Sequence, residues 1–427
     1  MANPANASPV PSGDILNGGP VQKLNALFKV VYADKMERLI PDDIMIQRDI
    51  KFSEADKLGE KFIQPVMLTE EQGFTFDNTA NAFKIEDPVV AEYRQAVVNG
   101  TSLLLSSAIS YEQAARASNG SAKSFEIGTY RMLSALRKSV MKRIEILLLY
   151  GNSSTGIARV SEAASLTSTK ATVQIKEWAD GIWSGAKNVV LDVLDKDDLT
   201  SVKGTVTVEA VNLKAKTLDL STETDFAVVA DDVIVFTKSQ KVTFDGLDKI
   251  ISTQVGEQFA IKREEFDLWR SNVTDAANED LSVDLILATA ADCVGRGLSG
   301  DVKLYVNHKT YEKLNAATDT DKRRVDSSYS KDKIYRGTKK LCFVYQRGLI
   351  EVTPSTFVKE NDAFMLSPKI CKRIGATDVT FNTPGNEKDQ IFHRMEKNAG
   401  YAVRCYTHQA LFIEYPAHCA KIANIKV

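Results

Sequence analysis

SFEIGTYRMLSALRKSVMKRIEILLLYG, residues Ser124 to Gly151, is the longest uninterrupted helical signal in the chain. Leu133, Leu136, Val140, Ile144 and Leu147 recur at spacings of three and four, which puts them on one stripe of an α-helix, and Met132 and Leu148 widen it. Ser124 is the expected N-cap, and Gly151 followed by Asn152 the expected positive-φ stop. A helix over the whole stretch has about 27 residues and is roughly 40 Å long. Among segments that are otherwise shorter or β-like, one such helix reads as a strut. Its polar side carries Arg131, Lys138 and Lys142 on one face, with Arg137 and Arg143 near the edges. Two readings stay open for these cations: a solvated or internally paired face, with Glu145 three residues from Lys142, or contact with a neighbouring chain.

Upstream of the helix the sequence lacks a core of its own. Residues 1 to 20 are rich in Ala, Asn, Pro, Ser and Gly and read as a floppy arm. A short amphipathic helical pattern follows up to Pro41. KFIQPVMLTEEQGFTFDNTANAFKI, residues 61 to 85, alternates apolar and polar residues around a Gly-containing middle and reads as a hairpin, with Pro65 on an edge strand. A two-stranded ribbon is marginal alone in water, so it needs something to dock on.

Downstream the character changes. Between Thr172 and Phe244 short β-branched runs recur about every ten residues, the pattern of a small inserted sandwich or barrel. DLSVDLILATAADCVGRGLSG then reads as a helix with Leu281, Leu285, Ala288 and Ala291 on one face, followed by the apolar strand VKLYVN. The charged run NAATDTDKRRVDSSYSKDKIYRG is poorly periodic and reads as a long loop; its Lys322, Arg323 and Arg324 suit a soluble loop tip better than a nucleic-acid patch. The C-terminal section, from Ile391 onward, reads as two or three strands of a closing antiparallel sheet.

Composition narrows the function classes. The chain has 427 residues, with 54 basic and 56 acidic side chains, which argues against a dedicated nucleic-acid binder. No apolar run reaches the roughly 18 residues of a membrane span, and no signal peptide opens the chain, so a cytosolic or cytosolically assembled protein is expected. The five cysteines lack paired spacing and read as free thiols. His393, Cys405, His408, His418 and Cys419 cluster late in the sequence, but their spacing in strand-like runs sends neighbours to opposite faces, so structural roles are expected and no metal. No GxSxG or P-loop motif occurs, and the glycine cluster Gly295, Gly297 and Gly300 precedes a strand instead of opening a helix, so it reads as a turn; no catalytic residue, no cofactor and no enzyme activity are expected.

The order of elements, together with KRIEILLLYGNSSTGI (142 to 157), EWADGIWSGA (177 to 186), FDGLDKIIST (244 to 253), EFDLWRSNV (265 to 273), VKLYVNHKTYEKL (302 to 314) and RGLIEVTPSTF (347 to 357), resembles the HK97-fold major capsid proteins of tailed bacteriophages. The resemblance implies an α+β fold: an N-terminal arm (1 to 57), an E-loop hairpin reaching over a neighbour (58 to 90), and a peripheral domain (91 to 164) with its spine helix (124 to 150). An inserted barrel-like β-domain (165 to 242), an axial domain (243 to 385) and C-terminal strands completing the peripheral domain (386 to 427) would follow. It implies a shell of hexamers and pentamers in the virion, assembled in the host cytoplasm around non-specifically contacted double-stranded DNA. A separate scaffolding protein and a portal would be partners, with room for a decoration protein and no membrane. Contact between subunits would then involve Lys61, Phe62, Phe74, Phe76, Lys84, Arg131, Lys138, Lys142, Arg323 and Arg324. A rival reading makes the chain a ligand- or carbohydrate-binding protein that uses the β-rich insertion.

Overall fold

The computed structural model describes residues 44–53, 61–78, 84–111, 122–167, 170–321, 341–382, 391–396 and 398–426. The first 43 residues and the charged stretch 322–340, with Arg323 and Arg324, lie outside the described residues, as do the side chains of residues 122–131, Arg131 among them. A short helix, α1 (Met45–Asp49), precedes a ribbon of β1 (Phe62–Met67) and β2 (Tyr93–Val98), then β3 (Thr101–Ser110) and the long helix α2 (Ala122–Tyr150). The ribbon corrects the expected hairpin over 61–85. Phe62 faces Val98 and Met67 faces Tyr93, and a bridge joins Gln72 to Val89, so the return strand lies beyond residue 90. YRQAVV, with aromatic Tyr93 and β-branched Val97 and Val98, has the composition of a strand and forms the ladder.

Helix α2 starts at least two residues before the expected N-cap, so Ser124 lies inside it. Met132 and Leu136 pack with Ile109 and Val403 on the sheet formed by β3 and the C-terminal strands. From Ile144 to Tyr150 the helix is buried all round, which its uninterrupted IEILLLY requires. The left-handed stop falls on Asn152 (φ 50°), not Gly151. Gly151 is needed for close approach: a Cβ there would stand 2.4 Å from the Phe244 carbonyl oxygen. Gly246 donates its N–H to the Gly151 carbonyl at 2.8 Å, so the chain leaves for the insertion and returns from it at one backbone contact.

Between these glycines lie β4 (Ala158–Val160), β5 (Ala164–Leu166), β6 (Ala171–Lys176), β7 (Val190–Leu194), β8 (Val202–Asn212), β9 (Thr217–Ser221), β10 (Phe226–Val228) and β11 (Val233–Phe236). Six of them close a barrel in the order β11-β4-β6-β9-β8-β7, and β5 pairs with β10 beside it. The barrel recruits β4, upstream of residue 165. Val173 and Ile175, Val206 and Val208, and Leu218 and Leu220 are buried in alternation, the period-two pattern of strands with one face inward, whereas β7 is buried on both faces from Leu191 to Leu194.

After the small ribbon β12 (Glu257–Gln258) and β13 (Ile261–Lys262) come β14 (Asn272–Asp275), α3 (Val283–Gly295), β15 (Val302–Asn307), α4 (His308–Asp321), β16 (Leu341–Tyr345), β17 (Gly348–Ser355) and β18 (Ala363–Leu366). The last four strands are β19 (Cys371–Thr380), β20 (Phe392–Arg394), β21 (Gly400–Ile413) and β22 (Ala420–Ala423). Helix α3, capped by Ser282, buries Ile286, Thr289, Ala290 and Cys293, whereas Ala288 and Ala291 are exposed; the bulkier Ile286 and Cys293 turn the helix away from the expected face.

Two sheets share the body, and after β18 the chain crosses between them twice. The six-stranded sheet runs β14-β22-β18-β15-β17-β16, whereas β21 is flanked by β3 on one edge and by β19 and β20 on the other. Thus β19, expected within 243–385, lies beside the long helix's sheet, and β22, expected to complete that sheet, is the second strand of the other. Pro-initiated turns at Pro368–Ile370 and Pro416–His418 make the crossings, and Glu414 N–H donates to the Ile370 carbonyl at 3.0 Å to hold them side by side.

Candidate assembly surface

Strand β1 alternates strictly between half-buried Phe62, Gln64 and Val66 and exposed Ile63, Pro65 and Met67. One face of the ribbon is seated on the body: the Phe62 ring lies 5.5 Å from that of Phe412, and Val97 N–H donates to the Phe259 carbonyl. The other face is apolar and open. Ile63, Met67, Phe74, Phe76, Ile85, Val89, Val90 and Tyr93 are all exposed, Phe76 at 93% and Phe74 at 69%. A monomer's ribbon normally shows polar side chains on its outer face; this concentration is the mark of a surface that meets another. Among the expected contact residues, Lys61, Phe74, Phe76 and Lys84 are exposed on the ribbon, whereas Phe62 is half-buried with its ring against Phe412 of its own chain. Ile63, Met67, Ile85, Val89, Val90 and Tyr93 escaped the sequence reading. Their signal was the apolar residues at both parities of FIQPVM, which leaves no polar face for solvent.

The cations of α2 are divided between solvent-facing and internal positions. Lys138 is half-buried. Lys142 is also half-buried and donates to the Ser184 carbonyl, with its ammonium 5.9 Å from the Phe357 ring centroid. Arg143 stacks on the Phe236 ring of β11, 3.3 Å to the centroid, and burial lowers its pKa to about 10. Glu145 is fully buried and accepts from Ile46 N at 2.7 Å, Gln47 N at 3.0 Å and Gln47 Nε2 at 3.2 Å, so it caps α1 from the long helix.

Where α2, the barrel and the six-stranded sheet meet, charge is buried. The Lys359 ammonium is fully enclosed, 2.9 Å from Thr155 Oγ1, 3.1 Å from the Gly156 carbonyl, 3.2 Å from Glu177 and 4.5 Å from the Tyr150 ring centroid. Glu177 also binds Arg159. Burial alone would raise the Glu177 carboxyl, but Lys359 and Arg159 bring it below its usual range. Glu360, buried at the edge of the same region, takes Lys216 from the barrel and Lys309 from α4. Such pairs are costly to break once desolvated, so they fix the barrel's seating on the body.

Among the described residues no group of three or more His, Cys, Asp or Glu side chains could hold a metal ion, and no helix is long and apolar enough to cross a membrane. The five cysteines are free, and four of them are buried.

No family model matches the sequence, and no curated protein matches it. Among solved structures, the capsid asymmetric unit of cyanophage A-1(L) is similar with a TM-score of 0.53 at 9% identity, covering 94% of this chain and 97% of that one. The capsid of a native GTA particle is matched at a TM-score of 0.49 and 9% identity, over 99% of this chain and 100% of that one. The first likeness assigns the fold: an α+β chain built as phage capsid proteins are built. This is the fold that the sequence resemblance implied, and it extends over nearly the whole chain.

Proposed function

We propose that the chain is a major capsid subunit, a structural protein without catalytic activity whose copies close into an icosahedral head shell around double-stranded DNA. One observation carries the reading beyond the fold: the ribbon's open apolar face, with Phe76 at 93% exposure, on a segment that folds only by leaning on something. Copies of the same chain are the natural cover, since a shell repeats one interface many times. In this reading the ribbon is the E-loop, α2 the spine of the peripheral domain and the six-stranded sheet the axial domain. Residues 1–57 act as the arm, and a scaffolding protein, a portal and a decoration protein are the further partners in the virion. Nothing favours the ligand-binding reading of the insertion, whose barrel strands bury close-packed aliphatic side chains.

The test is electron microscopy and sedimentation of the purified chain, alone and with a co-expressed scaffolding protein. Shells or capsomers are expected. A monomer that forms neither under any of these conditions refutes the assignment.

A further inference from the structure

Strand β3 is a free edge of the sheet that lies on α2. All ten of its residues, Thr101 to Ser110, pair with β21 without a register shift, and no other described strand pairs with it. An open edge is a row of unpaired backbone donors and acceptors, and soluble chains blunt it with charge, proline, a bulge or brevity. The other edges of the two body sheets are blunted in these ways. Strand β19 carries Lys372, Arg373 and Asp378, has two register shifts and is bridged by Phe52, and Ser53 N–H donates to the Arg373 carbonyl at 2.8 Å. Strands β14, β16 and β20 have only four, five and three residues. TSLLLSSAIS, by contrast, has no charge, no proline and no bulge over its whole length.

The side chains of β3 divide by parity. Leu103, Leu105 and Ile109 join the apolar core, whereas Ser102, Leu104 and Ser106 are exposed on the opposite face, Leu104 at 54%. Because the strand is uncharged, a second β3 can lie antiparallel beside it without like charges meeting. Rotation by half a turn about an axis normal to the sheet presents the same edge to itself. Both copies then keep α2 on one side, and residues of the same parity face each other. The edge is complementary to itself, as an isologous contact requires.

From this geometry we propose that β3 pairs with β3 of a second copy about a twofold axis, making one sheet of two. The inference rests on the shell reading and adds a contact to it. In that reading the ribbon meets a different surface of its neighbour, head to tail, and such contacts close rings. Rings join into a shell only through a further contact between them, and β3 supplies one of twofold symmetry.

Two variants of the full chain test it: Leu104→Lys with Ser106→Lys, and Leu104→Glu with Ser106→Glu. Both positions are exposed, so each variant should keep the thermal midpoint of the unaltered chain. Self-pairing would gather like charges from both copies at the axis, and the concentration at which rings join should rise roughly tenfold for either variant alone. An equimolar mixture sets lysine against glutamate and should return to the unaltered threshold; a folding defect would not be rescued by mixing. Sedimentation velocity and negative-stain microscopy read all of these. Shells from each variant alone at the unaltered threshold, as expected if another segment of the chain or a different protein lies along β3, overturn the proposal and leave the shell reading standing. A mixture that recovers nothing overturns it equally. An unaltered chain that stays monomeric refutes the shell reading itself, and the β3 pairing with it.

Discussion

Replacing Phe74 and Phe76 together by serine isolates what the ribbon contributes to association. Both rings are exposed in the single chain, at 69% and 93%, so the folded subunit loses little by the change, within about 0.5 kcal/mol. If a neighbouring copy covers them, each ring gains about 2 kcal/mol from burial, and the double substitution removes about 4 kcal/mol from each ribbon contact. At 1.4 kcal/mol per decade this weakens one contact by roughly a thousandfold. The expected result is a sharp rise in the protein concentration at which shells appear, followed by light scattering and negative-stain microscopy. The thermal midpoint of the dissociated chain should stay where it was. An unchanged assembly threshold with an unchanged midpoint would show that these rings face solvent in the assembled state, and the ribbon would lose its assigned part.

Other perturbations probe the body. Glu145→Ala leaves the Ile46 and Gln47 N–H groups without their buried acceptor, and a loss of about 3 kcal/mol in denaturant unfolding is expected, with faster hydrogen exchange over 44–53. Gly246→Ala drives a Cβ to 2.5 Å from Gly151 N, backbone against backbone, and should lower stability by about 3 kcal/mol in the same assay. For Glu177, whose carboxyl is depressed in the fold, the stabilisation is present above the ordinary carboxylate range and is lost as the pH falls into the depressed one. Glu177→Gln should therefore flatten the acid limb of stability against pH; an unaltered limb would assign the acid loss to other carboxylates.

Local signals were legible and long-range ones were not. The apolar spacing of three and four from Leu133 to Leu147 marks α2, and recurrent β-branched runs mark the insertion, because both depend on neighbours a few residues away. The return strand of the ribbon, the exchange of β19 and β22 between sheets and the cap from Glu145 to α1 depend on partners 26 to 99 residues distant in the cap and ribbon registers, which no spacing encodes. Lys142 shows the same limit: helical periodicity places it on a polar face, but only the fold brings the Ser184 carbonyl to it. The site was half legible for a different reason. Aromatic Phe74 and Phe76 stand out in a polar loop, whereas Ile63 and Met67 look like ordinary core residues until their face is found open.

The Gly151–Gly246 contact makes the insertion a graftable module. Its two ends are one hydrogen bond apart, so a foreign domain with adjacent termini could be spliced in there without moving the long helix. Simple excision is another matter, because Glu177 would leave with the barrel and strand the enclosed ammonium of Lys359. A trimmed chain would need an apolar replacement at position 359, so the seam tolerates exchange more readily than deletion.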